Sequence, residues 1–141
     1  MNPLSRGETL SILTHAPAQG VQSLAEQVLP HLGEVTVLRS RTGLVMMPFT
    51  DSAHGSVFHL GEVLVAEAHI QLDDGTEGYG MVAERDALFA MGVAILDAAL
   101  SAGIMSEAIA AFVDEQQSAQ QSVDDDLLRM VETTRVEMET F

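Results

Sequence analysis

At 141 residues with 47 % apolar content, the chain is long enough to bury one core and too apolar to be disordered throughout. Its formal charge of −15, from 21 acidic residues against 6 basic ones that are all arginine, excludes a phosphate-backbone binder, which needs Lys or Arg to displace counterions. No cysteine is present, which excludes disulfides, thiolate metal sites and cysteine nucleophiles, and no apolar run approaches the ~18 residues of a membrane span.

The first residues have neither a basic start nor an apolar signal core, so no secretory signal is expected and the cytoplasm is the expected compartment. The acidic excess is read as a solubilising surface or an adaptation to salt. An unaided site for a highly charged anion would need a metal or a partner to supply positive charge.

In chain order, Ser5-Arg6-Gly7-Glu8 fits a capping box. Leu10 and Leu13 give the helix behind it an apolar stripe that ends near His15-Ala16-Pro17. A second helix is predicted from Ala18 to Leu29, with Val21, Leu24, Val28 and Leu29 on one side and Pro30 behind it. Glu34–Arg39, rich in β-branched residues, predicts a strand, Ser40–Gly43 a turn, and Leu44–Met47 a return strand that Pro48 ends or marks as an edge. Phe49–Ser56 is polar, small and aperiodic, so a loop is predicted there.

The stretch from Leu60 to Gly103 organises the rest. Leu64, Ala66, Ala68, Ile70 and Leu72 alternate with Val65, Glu67, His69 and Gln71, as in a half-buried strand. Asp74-Gly75 predicts a two-residue hairpin turn, with Asp73 opposite Thr76, Ile70 across from Tyr79 and Ala68 across from Met81. Asp86 is a good N-cap for a helix that reaches Ala102 and stops at Gly103. That helix is apolar almost all round, with Asp97 its only charge, and Gly92 allows a close backbone approach. Ser106 starts another helix that buries Ile109, Phe112 and Val113. Gln116–Ser122 is predicted as a frayed end or linker, and a final, modestly amphipathic helix starts at Asp124-Asp125-Asp126. The fold class is α+β: one domain over residues 1–141, an antiparallel sheet of about four strands packed with several helices.

Two groups of residues could carry chemistry. His54, His59, Glu67 and His69 cluster in sequence, and Glu67 and His69 share a strand face two residues apart, which suits a zinc-type ion. The competing interpretation is a partly exposed histidine beside a carboxylate. Arg85 and Asp86 sit between a strand and a helix N-terminus, where amides and a guanidinium favour a phosphoryl or carboxylate oxygen; the alternative is a plain N-cap next to a surface arginine. Gly75–Gly80 is glycine-rich but begins at a hairpin tip, whereas a dinucleotide fingerprint needs its glycines between a strand and a helix start. No catalytic residue is assigned.

Val37-Leu38-Arg39, Thr42-Gly43-Leu44-Val45-Met46, Phe58-His59-Leu60-Gly61-Glu62, Asp74-Gly75-Thr76 with Gly78-Tyr79, Arg85-Asp86 and Ala94-Ile95-Leu96-Asp97-Ala98 occur in an order that resembles the PhnG family over about residues 5–103, with 104–141 a helical tail. PhnG is a subunit of the bacterial carbon–phosphorus lyase system. The resemblance implies a subunit without cofactors of its own, working with PhnH-, PhnI-, PhnJ- and PhnL-like subunits. Their shared activity is that of an alpha-D-ribose 1-methylphosphonate 5-triphosphate synthase, which takes MgATP and an alkylphosphonate and releases adenine. Where the family carries arginine in its long strand this chain has Glu67, a departure that motivates an alternative: a diverged stand-alone homo-oligomer, such as a homodimer, outside the complex.

Overall fold

The computed structural model describes residues 4–50 and 57–139, with side chains described over 4–44 and 64–132. The described residues form four helices and one three-stranded antiparallel sheet, in the order α1 (Arg6–Thr14), α2 (Ala18–Val28), β1 (Val35–Thr50), β2 (Val57–Leu72), β3 (Glu77–Val82), α3 (Ala87–Ala102) and α4 (Ser106–Glu139). A single 3-10 turn, Leu29–His31, carries Pro30 between α2 and β1.

The helix signals act as the sequence predicts. Ser5 Oγ accepts the Glu8 amide at 3.1 Å, and Asp86 Oδ1 accepts the Phe89 amide at 3.0 Å. Gly103 ends α3 in the left-handed conformation. α3 is the centre of the core. It buries Phe89, Ala90, Val93, Ala94, Leu96, Ala98 and Ala99 between the sheet on one side and α1, α2 and α4 on the other. Gly92 lets α2 approach closely, since a Cβ there would sit 3.1 Å from Val21 Cγ1. Leu13 of α1, Val21 and Val28 of α2, Ile70 of β2 and Ile109 of α4 are fully buried around it. Each such side chain contributes about 1.5–3 kcal/mol over leaving it in water.

The sheet runs β1-β2-β3, with the inward residues Ala66, Ala68, Ile70 and Leu72 of β2 against α3. Four details differ from expectation. Ser40–Gly43 is not a turn: β1 continues through it, pairing Ser40 with Ala68, Arg41 with Glu67 and Thr42 with Ala66. The two short strands expected there are therefore one, and the strand count among the described residues is three. Phe49 and Thr50 pair with Phe58 and Val57, so the predicted loop is strand at its start, and 51–56 lie outside the described residues.

The β2–β3 register also differs, by one residue. The loop holds three residues, Asp73, Asp74 and Gly75, closed by hydrogen bonds from Gly75 N to Leu72 O (3.0 Å) and Leu72 N to Thr76 O (2.8 Å). Gly75 has φ +90°, the glycine position that a three-residue hairpin loop requires. His69 thus pairs with Tyr79, and Ile70 with Gly78, which places Gly78 and Gly80 on the inner face. The reason lies in α3. Its backbone lies so close to β3 that a Cβ at Gly78 would fall 2.7 Å from Ala98 Cβ and 2.9 Å from Ala98 N, besides meeting Ala94 O. A Cβ at Gly80 would meet Ala90 O and sit 2.9 Å from Val93 Cβ. A tyrosine has no room on that face.

The fourth difference is in the C-terminal helix. Gln116–Ser122 is continuous helix, and α4 runs unbroken for 34 residues. The stretch has no Gly or Pro to break it, and Gln120 Nε2 donates to Ile12 O at 3.0 Å, tying α4 to α1. Beyond Ala66, where β3 ends, β1 and β2 continue as a two-stranded ribbon with Leu44 and Leu64 exposed on one side. Pro48 lies in β1, an outer strand, where a missing backbone N–H is tolerated. No helix among the described residues is long and apolar enough to cross a membrane.

Candidate functional site

Two one-residue choices along the strands assemble a polar cluster on the sheet face turned away from α3. The first is a bulge. Val37 pairs with Ile70 but Arg39 pairs with His69, leaving Leu38 as the extra residue. Without that insertion the period-2 alternation would point Arg39 and Arg41 at the core; with it they stand on the open face beside Glu67. The second is the three-residue turn, which puts Tyr79 on the same face, opposite His69.

Glu67 is the centre of the cluster and is buried by its neighbours, with its side chain only 8 % exposed. Tyr79 Oη donates to Oε2 at 2.5 Å, Arg41 Nε donates to Oε1 at 2.9 Å, and Arg39 Nη1 lies 3.6 Å from Oε1. The tyrosine hydroxyl, followed by the Arg41 guanidinium, holds the Glu67 carboxyl below its usual range against the opposing effect of burial. Burial and the hydrogen bond to Glu67 push the Tyr79 phenol up to about 12. Near neutral pH the proton therefore stays on Tyr79 and the charge on Glu67, so the pair holds charge in place and is poorly suited to proton transfer. His69 packs edge-on against Tyr79, with ring centroids 6.1 Å apart, and its Nε2 lies 3.4 Å from Glu77 Oε1.

Tyr79 also joins this cluster to the interior. Its backbone N–H, on the free edge of β3, donates to Asp97 Oδ2 at 2.9 Å. Asp97 is 3 % exposed and takes two further hydrogen bonds from Arg6, Nε to Oδ1 at 3.0 Å and Nη2 to Oδ2 at 2.6 Å. The hydrogen bond and charge of Asp97 raise the Arg6 pKa further, so the guanidinium stays charged. A chain of charge-assisted hydrogen bonds thus runs from α1 through α3 and β3 to β1. Arg6 and Asp97 also line a cavity of about 760 Å³ between α1, α3 and α4, together with Leu4, Thr9, Leu100 and Gln117.

Of the residues singled out from sequence, Glu67 and His69 share the open face, but Glu67 Oε1 and Oε2 already accept from arginine and tyrosine, and His69 faces Glu77. His54 and the His59 side chain lie outside the described residues. Among the described residues no group of three His, Cys, Asp or Glu side chains could hold a metal ion. Arg85 is exposed in the turn between β3 and α3, and the Asp86 carboxylate occupies the Phe89 amide as an N-cap. Sequence reasoning missed Tyr79, Arg6 and Asp97 as partners. The available signal was Asp97 itself, since a lone carboxylate in a helix buried all round must find a donor.

A comparison with curated protein sequences gives no match. The family model described as "Phosphonate metabolism protein PhnG" matches residues 4–141, nearly the whole chain and well beyond the blocks at 5–103. That span takes in both carboxylate clusters and the long C-terminal helix. The chain belongs to the PhnG family of phosphonate metabolism proteins.

Proposed function

We propose that this chain is a non-autonomous subunit of a carbon–phosphorus lyase core complex, acting with PhnH-, PhnI-, PhnJ- and PhnL-like subunits. The assembly transfers an alkylphosphonate to the ribose of MgATP. A phosphonate oxygen forms a bond to ribose C1 as the bond from C1 to adenine breaks, giving adenine and a ribose 1-phosphonate 5-triphosphate. The family match over residues 4–141 is the observation that carries this proposal. The surface supports it: Leu44 and Leu64 on the β1–β2 ribbon and Val123, Leu127, Leu128 and Val131 on α4 are large apolar side chains left in water, as on a subunit that packs against others.

In this role the Glu67 and Asp97 clusters fix the sheet and the N-terminal helix relative to α3, so that the outer surfaces are presented rigidly. The test is a pull-down of tagged chain from its native host grown on a phosphonate as sole phosphorus source, with copurifying chains identified by mass. Recovery of PhnH-, PhnI- and PhnJ-like proteins is the expected result. Recovery of the chain alone, as a clean homodimer, would replace the proposal with a stand-alone homo-oligomeric protein.

A further inference from the structure

A helix without tertiary support is marginal in water below about 12–15 residues even for the best sequences, and longer ones rely on packing of an apolar face. Every residue of α4 from Gln121 to Glu132 is exposed, in contrast to the first half of the helix, which buries Ile109 and Val113 and donates from Gln120 Nε2 to Ile12 O. Yet this half is patterned. Val123, Leu127 and Val131 repeat every four residues along one line, with Leu128 beside Val131 at i+3 spacing, and all four are 55–61 % exposed... a stripe built for burial. Over residues 121–132, Asp124, Asp125, Asp126 and Glu132 flank it, against one arginine, Arg129, whose Nη2 lies 2.8 Å from Asp126 Oδ1.

We propose that the second half of α4 docks as an amphipathic helix into an apolar groove with a basic rim on a partner subunit. This deepens the function proposed above and rests on it. Charge decides the occupant. A second copy would bring another chain of net charge −15 and a second Asp124-Asp125-Asp126 run to the same seam, where like charges oppose association. A heterologous groove lined with Lys or Arg complements both the stripe and its acidic border, and helix-in-groove recognition uses anchors at this i, i+4, i+8 spacing. Leu127 and Val131 are the central anchors, and the aspartates steer the encounter.

The experiment uses the full chain and a PhnI-like subunit from the same host, expressed alone and together. Hydrogen exchange over residues 121–132 is measured in both states, and affinity is measured for Leu127→Glu, Val131→Glu and the triple Asp124→Asn/Asp125→Asn/Asp126→Asn variant. The substituted positions are exposed, so the fold of residues 4–113 should stay intact, and near-parental urea unfolding of each variant is the control. The expected result is at least tenfold slower exchange of 121–132 in the complex and at least tenfold weaker binding for each Glu variant. The triple Asn variant should bind more slowly and lose much of its salt dependence. A complex that forms with unchanged exchange at 121–132 and parental affinity for the Glu variants overturns the docking proposal and leaves the function standing. Absence of any complex overturns both. Concentration-dependent self-association of the chain alone, with the same segment protected, overturns the heterologous groove in favour of a second copy.

Discussion

Gly78→Ala is the sharpest test of how β3 and α3 fit together. A methyl group there would lie 2.7 Å from Ala98 Cβ and 2.9 Å from Ala98 N, and would also meet Ala94 O. Two of these three atoms belong to helix backbone, which cannot rotate aside as a side chain can. Ordinary contact needs about 3.5–4.0 Å, so α3 must lift from the sheet by roughly 1 Å along this line, and a gap of that size forfeits a quarter to a half of each lost dispersion contact. Overpacking of a tight core costs typically about 1–3 kcal/mol, and a clash with rigid backbone falls at the upper end, about 3 kcal/mol. For a chain of this size that lowers Tm by roughly 10 °C. The control is Gly43→Ala, where no atom lies within 4 Å of the added methyl and the change should stay within about 0.5 kcal/mol. Urea unfolding of both variants against the parent reads the difference. A Gly78→Ala protein within about 0.5 kcal/mol of the parent would refute the close strand–helix contact and the register that depends on it.

Asp97→Ala leaves the Tyr79 amide without its acceptor and Arg6 without its partner. A loss of about 2 kcal/mol is expected in urea unfolding, discounted because Arg6 is largely exposed, and Asp97→Asn should lose less. Tyr79 is the single tyrosine, so phenolate absorbance titrates one group: its midpoint should lie near 12 and move back toward 10 in Glu67→Gln. Because the folded phenol keeps a proton that the unfolded chain releases, stability should fall as pH rises from 10 toward about 12. At the acid end the sign reverses. The Glu67 carboxyl is depressed on folding, so its contribution is whole above the usual 4.5 and is lost as pH falls through the lower folded value. The urea midpoint of Glu67→Gln should therefore drop less than that of the parent between about pH 6 and about pH 3, and an equal drop would remove this group from the acid response. Asp86→Ala should cost about 1 kcal/mol through loss of the α3 cap.

The helices were legible because their signals are local: Ser5 and Asp86 are caps, Gly103 is a stop, and α3, apart from Asp97, has only apolar and small residues to offer a core. The family was legible from the order of short blocks, and its match proves longer than they are. Strand register was not legible, for a physical reason. On β3 the inward face belongs to Gly78 and Gly80, whose fit comes from the absence of a side chain, while pattern reasoning looks for apolar bulk and so turned Tyr79 inward. In β1 the turn-like Ser40–Gly43 run was overridden by partners far away in sequence, Arg41 with Glu67 above all. The central cluster followed from those two errors: with Arg41 in a turn and Tyr79 in the core, nothing pointed to the Glu67 network. The Gln-rich segment of α4 was judged by its polarity, although only a backbone breaker would have stopped the helix.

The Arg6–Asp97 bond spans 91 residues, and this sets a schedule for the newborn chain. Translation delivers about 5–20 residues per second, so α1 leaves the ribosome roughly 5–18 s before the carboxylate that will hold it. During that interval Ile12 and Leu13 have no α3 to cover them, and the nine residues of α1 are too few to persist as an isolated helix. The first helix written in the sequence is therefore among the last to settle, and it completes the body only after the strands and α3 have come together.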